Sequence, residues 1–442
     1  MRNLAIYILT ITVLFSSCKH SGDYKKIFRD PQLYSNAVHE LNGVVMGNNF
    51  TPVVASRNYA YANVAAYEVI AAGYPAQYKS LVGQLNGFKA VAKPAKGKEI
   101  DYEYAAIIAF CKVGEAVTFP AGSMKNYTDS LNHVALENGM PDEVIKNSED
   151  FATAVSKSII KWSKGDNYLQ TRTGVKYTLH DSAGRWVPTP PAYTDAVEPH
   201  WKEIRQMVLK NPYQIQFAPP PTFDVTDSTA KYYKEVKMIQ TAGDHLTPEQ
   251  THIADFWDDN PGKLNMEGHF SYIAKKFSPG GHWMSVVGIA AQKTNADFNK
   301  TVYAYTKTSI ALFDAFIQCW AVKYFYNTAR PETVIDQYFD HKWRPHLQTP
   351  PFPEYSCGHC TISAAAAEAL TSCLGDNVAY TDTSELEFGI KSRSFTSFRN
   401  AAKETAISRF YGGIHFHNSC MVSNDYGKQV GEYVVSKLQM QK

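Results

Sequence analysis

The chain has 442 residues, 44 Lys and Arg against 42 Asp and Glu, and a formal charge of +2. That balance gives no reason to expect a nucleic acid or an anionic membrane surface as partner. A content of 44% apolar and 13% aromatic residues is enough for a large core with aromatic-lined clefts, and the length suits two ordinary domains or one large helical one.

Residues 1–18 read as an export signal. Arg2 supplies positive charge, residues 4–15 are apolar, and Ser16 and Ser17 precede Cys18. Such a run is too short to span a bilayer comfortably and ends in the small residues of a cleavage point. A Cys placed directly after them resembles a bacterial lipobox, to which Phe15 is a loose fit. Cleavage there makes Cys18 the lipidated first residue of a periplasmic or outer-membrane lipoprotein, touching the membrane only through its lipid. The alternative is an ordinary signal peptide with an incidental Cys. No later stretch approaches 18 uninterrupted apolar residues, so the body, 19–442, is expected not to cross the membrane. Six more Cys stand at 111, 319, 357, 360, 373 and 420; an oxidising compartment allows some of them to pair, in a connectivity that sequence does not give.

Along that body, residues 29–74 and 102–164 carry apolar side chains at three- and four-residue spacing, which predicts helices. Residues 184–224 are Pro-rich (Pro188, Pro190, Pro191, then Pro219, Pro220 and Pro221) and predict a long ordered crossover on the surface. Helical patterning resumes at 228–258, 283–329, 361–373, 395–410 and 426–440. Period-two alternation is scarce and no repeat is visible. The expected architecture is all-α, a multi-helix bundle in a single domain.

Three separated segments bring together cationic and imidazole side chains. In the first, Lys323 and Arg330 stand seven residues apart, with Trp320 one turn before Lys323. On one helix the two cations share a face about 10 Å apart, with no carboxylate between them, an arrangement suited to a small multivalent anion. A solvated basic edge is the alternative, against which the Trp, Tyr, Phe and Ala neighbours argue. In the second, Pro351, Phe352 and Pro353 lead through Glu354 to Cys357, Gly358 and His359, and an Ala-rich run follows. A loop entering a helix offers its first N–H groups to an anion, Gly permits close approach, and His359 stands ready to exchange protons. In the third, Arg409 and His415 would lie about 240° apart round an unbroken helix, and Gly412-Gly413 is expected to break it so that they converge.

In this order the segments resemble the signature of the vanadium-dependent haloperoxidases and their relatives, the type 2 phosphatidic acid phosphatases. Lys323 to Arg330-Pro331, Gly358-His359 and Ser408-Arg409 with its spacing to His415 all fit. Trp320, the run Phe352 to Tyr355, Gly412 to Phe416, and the upstream Trp186 and Phe256-Trp257 look like the bacterial, iodoperoxidase-like branch. The resemblance spans roughly residues 180–442, with the superfamily core at about 285–442.

It implies vanadate as cofactor, with hydrogen peroxide and a halide (iodide, then bromide) as substrates. Lys323, Arg330 and Arg409 would bind the equatorial oxygens, aided by the Gly358 N–H and the Cys357 side chain. His415 would be the axial ligand and His359 the acid–base group, with Trp320 and Phe352 in the substrate pocket. Two departures stand out. Cys357 replaces the family's Ser and is a weak, oxidisable donor. Ser419 replaces the Asp four residues beyond the last His, leaving His415 without that orienting carboxylate. An acid phosphatase working through a phosphohistidine, or a degenerate oxyanion-binding protein, remains open. So does a thiol-exchange reading of Cys357–Cys360, or a plain disulfide between them.

Overall fold

The computed structural model describes residues 22–442 apart from 181 and 268; the leader and Cys18 lie outside the described residues. The first third folds into α1 (Asp23–Phe28), α2 (Pro31–Gly47), α3 (Pro52–Gly73), α4 (Tyr102–Val117), α5 (Lys125–Glu137), α6 (Asp142–Ser163) and the single turn α7 (Tyr168–Thr171). Local chemistry sets several of these starts. Asp30 and Asp101 accept from Gln32 N and Tyr104 N, and Pro31 and Pro52 stand where an unpaired N–H would be wasted.

Between Thr171 and Lys231 the described residues contain no α-helix; α8 (Lys231–Asp244) and α9 (Pro248–Phe256) follow. The Pro-rich crossover is ordered, as its composition predicts, but not confined to the surface: Trp186, Trp201, Met207 and Leu209 are buried. A carboxylate draws it inward. Asp314, in the core, accepts from the consecutive N–H groups of Met207, Val208 and Leu209 at 2.6, 2.8 and 3.0 Å.

Beyond it come the hairpin β1 (Lys263–Glu267) and β2 (Phe270–Ala274), then α10 (Pro279–Lys293), α11 (Phe298–Tyr326) and α12 (Pro331–Tyr338). The chain ends with α13 (Gly358–Leu374), a second small hairpin of β3 (Tyr380–Asp382) and β4 (Arg393–Phe395), α14 (Phe398–Tyr411) and α15 (His417–Lys437). Helix α11 is buried on every side as far as Lys323, as is α3 to Ala71, so these two form the axis of the core. Helices α13 and α15 press together through small residues. A Cβ at Gly427 would overlap the Thr361 carbonyl, and one at Gly431 would come within 2.8 Å of Ala365 O, in the Ala run. The interface requires glycine there. Close packing of α13 on both α11 and α15 fixes where its N-terminus points.

The candidate vanadate site

The site forms where five chain ends meet. Helix α11 ends at Tyr326, with Asn327 in the left-handed conformation, and Arg330 is the N-cap of α12. Lys323 and Arg330 therefore do not share one helix face, contrary to the sequence-based expectation. They converge because the chain turns between them, and both cations face the Phe352 ring, at 4.9 and 5.0 Å. The start of α13 carries Gly358 and His359. Arg409 lies in the last turn of α14, whose helix stops at Gly412 and Gly413; Gly413 has φ +76°. That break swings His415, just before α15, back toward Arg330.

All three cations are buried, and each is tied to backbone oxygen. Lys323 Nζ donates to Pro353 O (2.8 Å) and Glu354 O (3.1 Å). Arg330 Nε donates to Phe352 O, and its Nη1 to Ile414 O, both at 2.8 Å. Arg409 Nη1 donates to Trp257 O (2.6 Å). Burial weakens the proton hold of all three, while Glu354 raises it at Lys323 and Arg330, and Asp258 and Asp259 raise it at Arg409.

His415 has an orienting carboxylate after all. Its Nδ1 donates to Glu354 Oε1 at 2.8 Å, and Phe416 N donates to the same oxygen at 3.3 Å. The expectation that Ser419 leaves this imidazole unsupported is thus corrected. Glu354 takes the role from a different loop; burial strengthens its hold on a proton, while Arg330 and Lys323 favour its charged form. Burial, then Arg330, Lys323 and Arg409, keep His415 neutral. With Nδ1 committed as donor, Nε2 presents its lone pair, which Arg330 Nη1 meets at 3.1 Å.

Cys357 does not donate to the pocket. It is joined to Cys360 in a disulfide, so its sulfur has no proton to give; it accepts instead from Cys360 N (3.3 Å) as the cap of α13. Both cysteines are fully buried, away from any exchange partner at the surface. Gly358 backs onto Trp320, 3.5 Å from the place its Cβ would occupy. Trp320 lies behind the Phe352 ring (4.9 Å) and donates to Val197 O at 3.2 Å, locking the Pro-rich crossover against the site. Phe352, His359 and Arg409 line a cleft of about 340 Å³ walled by Thr189, Pro190 and the β1–β2 hairpin, while Trp320 does not reach its surface.

An oxyanion fits this arrangement. Three buried nitrogens around the pocket have no partner: Arg330 Nη2, Arg409 Nε and His359 Nε2. Buried donors are rarely left unmet without a ligand to meet them. Lys323 has a third proton to offer beyond its two carbonyl bonds. Burial, then Arg409, His282, Lys323 and Arg330, hold His359 well below the ordinary imidazole range, so it is a neutral acceptor. Its Nε2 lies 3.8 Å from Asp259 Oδ2. Glu354, which orients His415, and Asp259, which stands near His359 and Arg409, were not picked out as site residues from the sequence. No spacing rule marks them, because each meets its histidine through tertiary folding.

Comparison with known proteins agrees. The family model described as the VCPO second helical-bundle domain matches residues 304–342 and 338–441 in two overlapping segments. The crystal structure of the first bacterial vanadium-dependent iodoperoxidase is similar at 43% identity and TM-score 0.87, over 93% of this chain and 97% of that one. Holo and apo structures of a bacterial vanadium-dependent chloroperoxidase share the fold at 15% and 16% identity, with TM-scores of 0.64 and 0.66. Those alignments cover 89% and 88% of this chain and 93% of the other in each case. No curated protein gives a significant sequence match. The extent and identity of the first similarity, on a pocket that fits the oxyanion, place the chain in the vanadium-dependent haloperoxidase family, whose cofactor is vanadate and whose substrates are hydrogen peroxide and a halide.

Proposed function

We propose that this enzyme oxidises iodide, and bromide less readily, by the overall reaction H₂O₂ + I⁻ + H⁺ → HOI + H₂O. The observation that carries the reading is the neutral His415, tied at Nδ1 to Glu354, beside three unpartnered buried nitrogens. Similarity to a bacterial iodoperoxidase at 43% identity favours iodide over the other halides.

Vanadate, when bound, supplies the electrophilic centre at which peroxide is activated. Lys323, Arg330 and Arg409 would hold its oxygens, with the Gly358 N–H, and His415 Nε2 would hold the metal. Fixed cations in a water-poor pocket neutralise charge that would otherwise resist an incoming nucleophile. His359 faces the cleft with a neutral imidazole, so its Nε2 can take a proton from entering peroxide and return it to the departing oxygen. Phe352, against which Lys323 and Arg330 rest, excludes water from the cationic side.

The test is purified protein stripped of vanadium and assayed with peroxide and each halide, with and without vanadate, beside a phosphatase assay. Iodide oxidation should require vanadate and fall as phosphate competes for the same cations. Activity that tracks haem or a divalent metal instead, or phosphatase turnover without halide oxidation, would overturn the reading. The export signal and Cys18 support a further part of the proposal, that the enzyme works outside the cytoplasm on a lipid anchor. Metabolic labelling with palmitate, lost in Cys18→Ala, checks it.

A further inference from the structure

Next to His359, and reaching the cleft only through Asp259, lies a second cluster whose other members the haloperoxidase chemistry does not use. His282, in the first turn of α10, is fully buried and meets carboxylates at both ring nitrogens. Its Nδ1 side faces Asp259 Oδ1 at 2.8 Å and Glu385 Oε1 at 3.7 Å. Its Nε2 faces Asp382 Oδ2 at 3.0 Å. Asp382 is itself pinned, accepting on Oδ1 from Ser384 N (3.0 Å) and Ser384 Oγ (2.7 Å). Trp257 stacks on the imidazole with ring centres 4.6 Å apart.

Glu385 is the anomaly. It is 1% exposed, yet neither of its carboxylate oxygens has a hydrogen-bond partner, and one points at the His282 Nδ1 edge. Three carboxylates surround one imidazole, and the next cations, Arg409 near Asp259 and Lys276 near Glu385, make no hydrogen bond to them. A buried carboxylate is stable only when paired, hydrogen-bonded or coordinated to a metal.

We propose that Asp259, His282 Nδ1 and Glu385 bind a divalent cation of the Zn²⁺ or Mn²⁺ class, in a site separate from the vanadate pocket. One imidazole and two carboxylates suit that class. The three ligand atoms lie within 4.8 Å of one another. Ligands about 2.1 Å from a common tetrahedral cation lie roughly 3.4 Å apart. The His282–Glu385 separation is close to that, and the His282–Asp259 pair needs only to open slightly as the proton between them leaves. Asp382 completes the site by holding Nε2–H, the carboxylate–histidine–metal arrangement that orients a ligand ring and raises its basicity. Glu385, both of whose oxygens lack a partner, can bind through both and fill the fourth position; the site meets the cleft only at Asp259 and joins the stretch after α9, the start of α10 and the turn after β3. Its role is structural: it fixes Asp259 beside His359.

The test uses the full chain, purified without chelator and loaded with vanadate. Elemental analysis should find close to one zinc or manganese per chain in addition to vanadium. Glu385→Gln, which preserves volume, should lower that content at least tenfold at equal vanadium. In chelator-stripped, vanadate-reloaded protein, Zn²⁺ should raise the Tm by several degrees in the wild type and leave Glu385→Gln unmoved. A wild type with no bound cation, a Tm indifferent to Zn²⁺ and to Mn²⁺, and a Glu385→Gln protein as stable as its parent or more so would overturn the proposal. That result would mean the cluster is an ion-pair network with Glu385 protonated. Should Glu385→Gln fail to fold, the wild-type metal content and Zn²⁺ response decide alone. None of these outcomes depends on the halide or on the vanadate assignment.

Discussion

Glu354 should strengthen vanadate binding only through His415, and a double-mutant cycle isolates that dependence. The Nδ1–Oε1 bond is 2.8 Å long between side chains that are each 3% exposed. A hydrogen bond to a buried charge of this kind is worth about 1.5–3 kcal/mol. Removing the outer partner of a metal-bound histidine weakens metal affinity roughly 10–100-fold, or about 1.4–2.7 kcal/mol, so the two estimates agree. Glu354→Gln also deletes a negative charge near Lys323 and Arg330, which favours an anion and acts in the opposite direction. That field is present with or without His415 and cancels in the cycle. Glu354→Gln should therefore weaken vanadate binding in the wild type, yet leave it unchanged or tighter in His415→Ala, where Lys323, Arg330 and Arg409 still hold the anion weakly. Titration of tryptophan fluorescence provides the assay, since the Trp320 ring is 5.7 Å from Lys323 Nζ. Equal weakening in both backgrounds, within the roughly 0.3–0.5 kcal/mol expected of independent sites, would refute the reasoning.

Three further outcomes follow from the geometry. Cys357→Ser removes a disulfide that closes a very short loop, so stability should fall by only about 2 kcal/mol in denaturant titration; halide oxidation should survive, because a Ser hydroxyl also caps α13. Gly427→Ala forces a methyl against the Thr361 carbonyl and should cost about 1–3 kcal/mol or more, read as a lower urea midpoint with vanadate-dependent activity intact in the surviving folded protein. His359 has its imidazole pushed down by burial and then by Arg409, so its neutral form persists as pH drops below the ordinary imidazole range. Activity should therefore be lost only as pH falls through that lowered value; an acidic limb of kcat/KM for peroxide centred on the ordinary imidazole value would contradict the assigned base.

The helices of this chain were legible from three- and four-residue apolar spacing and many Ala, even where α3 and α11 are buried on every side, and the Pro-rich crossover because proline forbids helix. The β1–β2 hairpin was not legible. The side chains of Phe270, Tyr272 and Ile273 are all exposed, so the strand lacks the in–out alternation that would betray it. Lys323, Arg330, His359, Arg409 and His415 were found as residues, but one of the reasons given for their convergence was wrong. Helical arithmetic placed Lys323 and Arg330 on a single face, whereas Asn327 in a left-handed turn ends the helix between them. The break at Gly412-Gly413 was readable, since two glycines interrupt an otherwise regular pattern. Ser419 looked like a loss only because Glu354 could not be seen as a substitute from sixty residues away, whereas Cys357 gives the pocket no proton because its sulfur is held in a disulfide.

Because the pocket is assembled from the ends of α11 and α14, the starts of α12 and α13 and the loop before α15, no single segment can hold the anion alone. The unfolded chain has nothing comparable to offer, so every increment of vanadate affinity is also an increment of folding stability. At a hundred times the dissociation constant that linkage is about 2.7 kcal/mol. Vanadium supply thus sets how long the enzyme lasts as well as how fast it works. In medium poor in the metal, the buried Lys323, Arg330 and Arg409 repel one another with no anion between them, and the folded state loses that stabilisation.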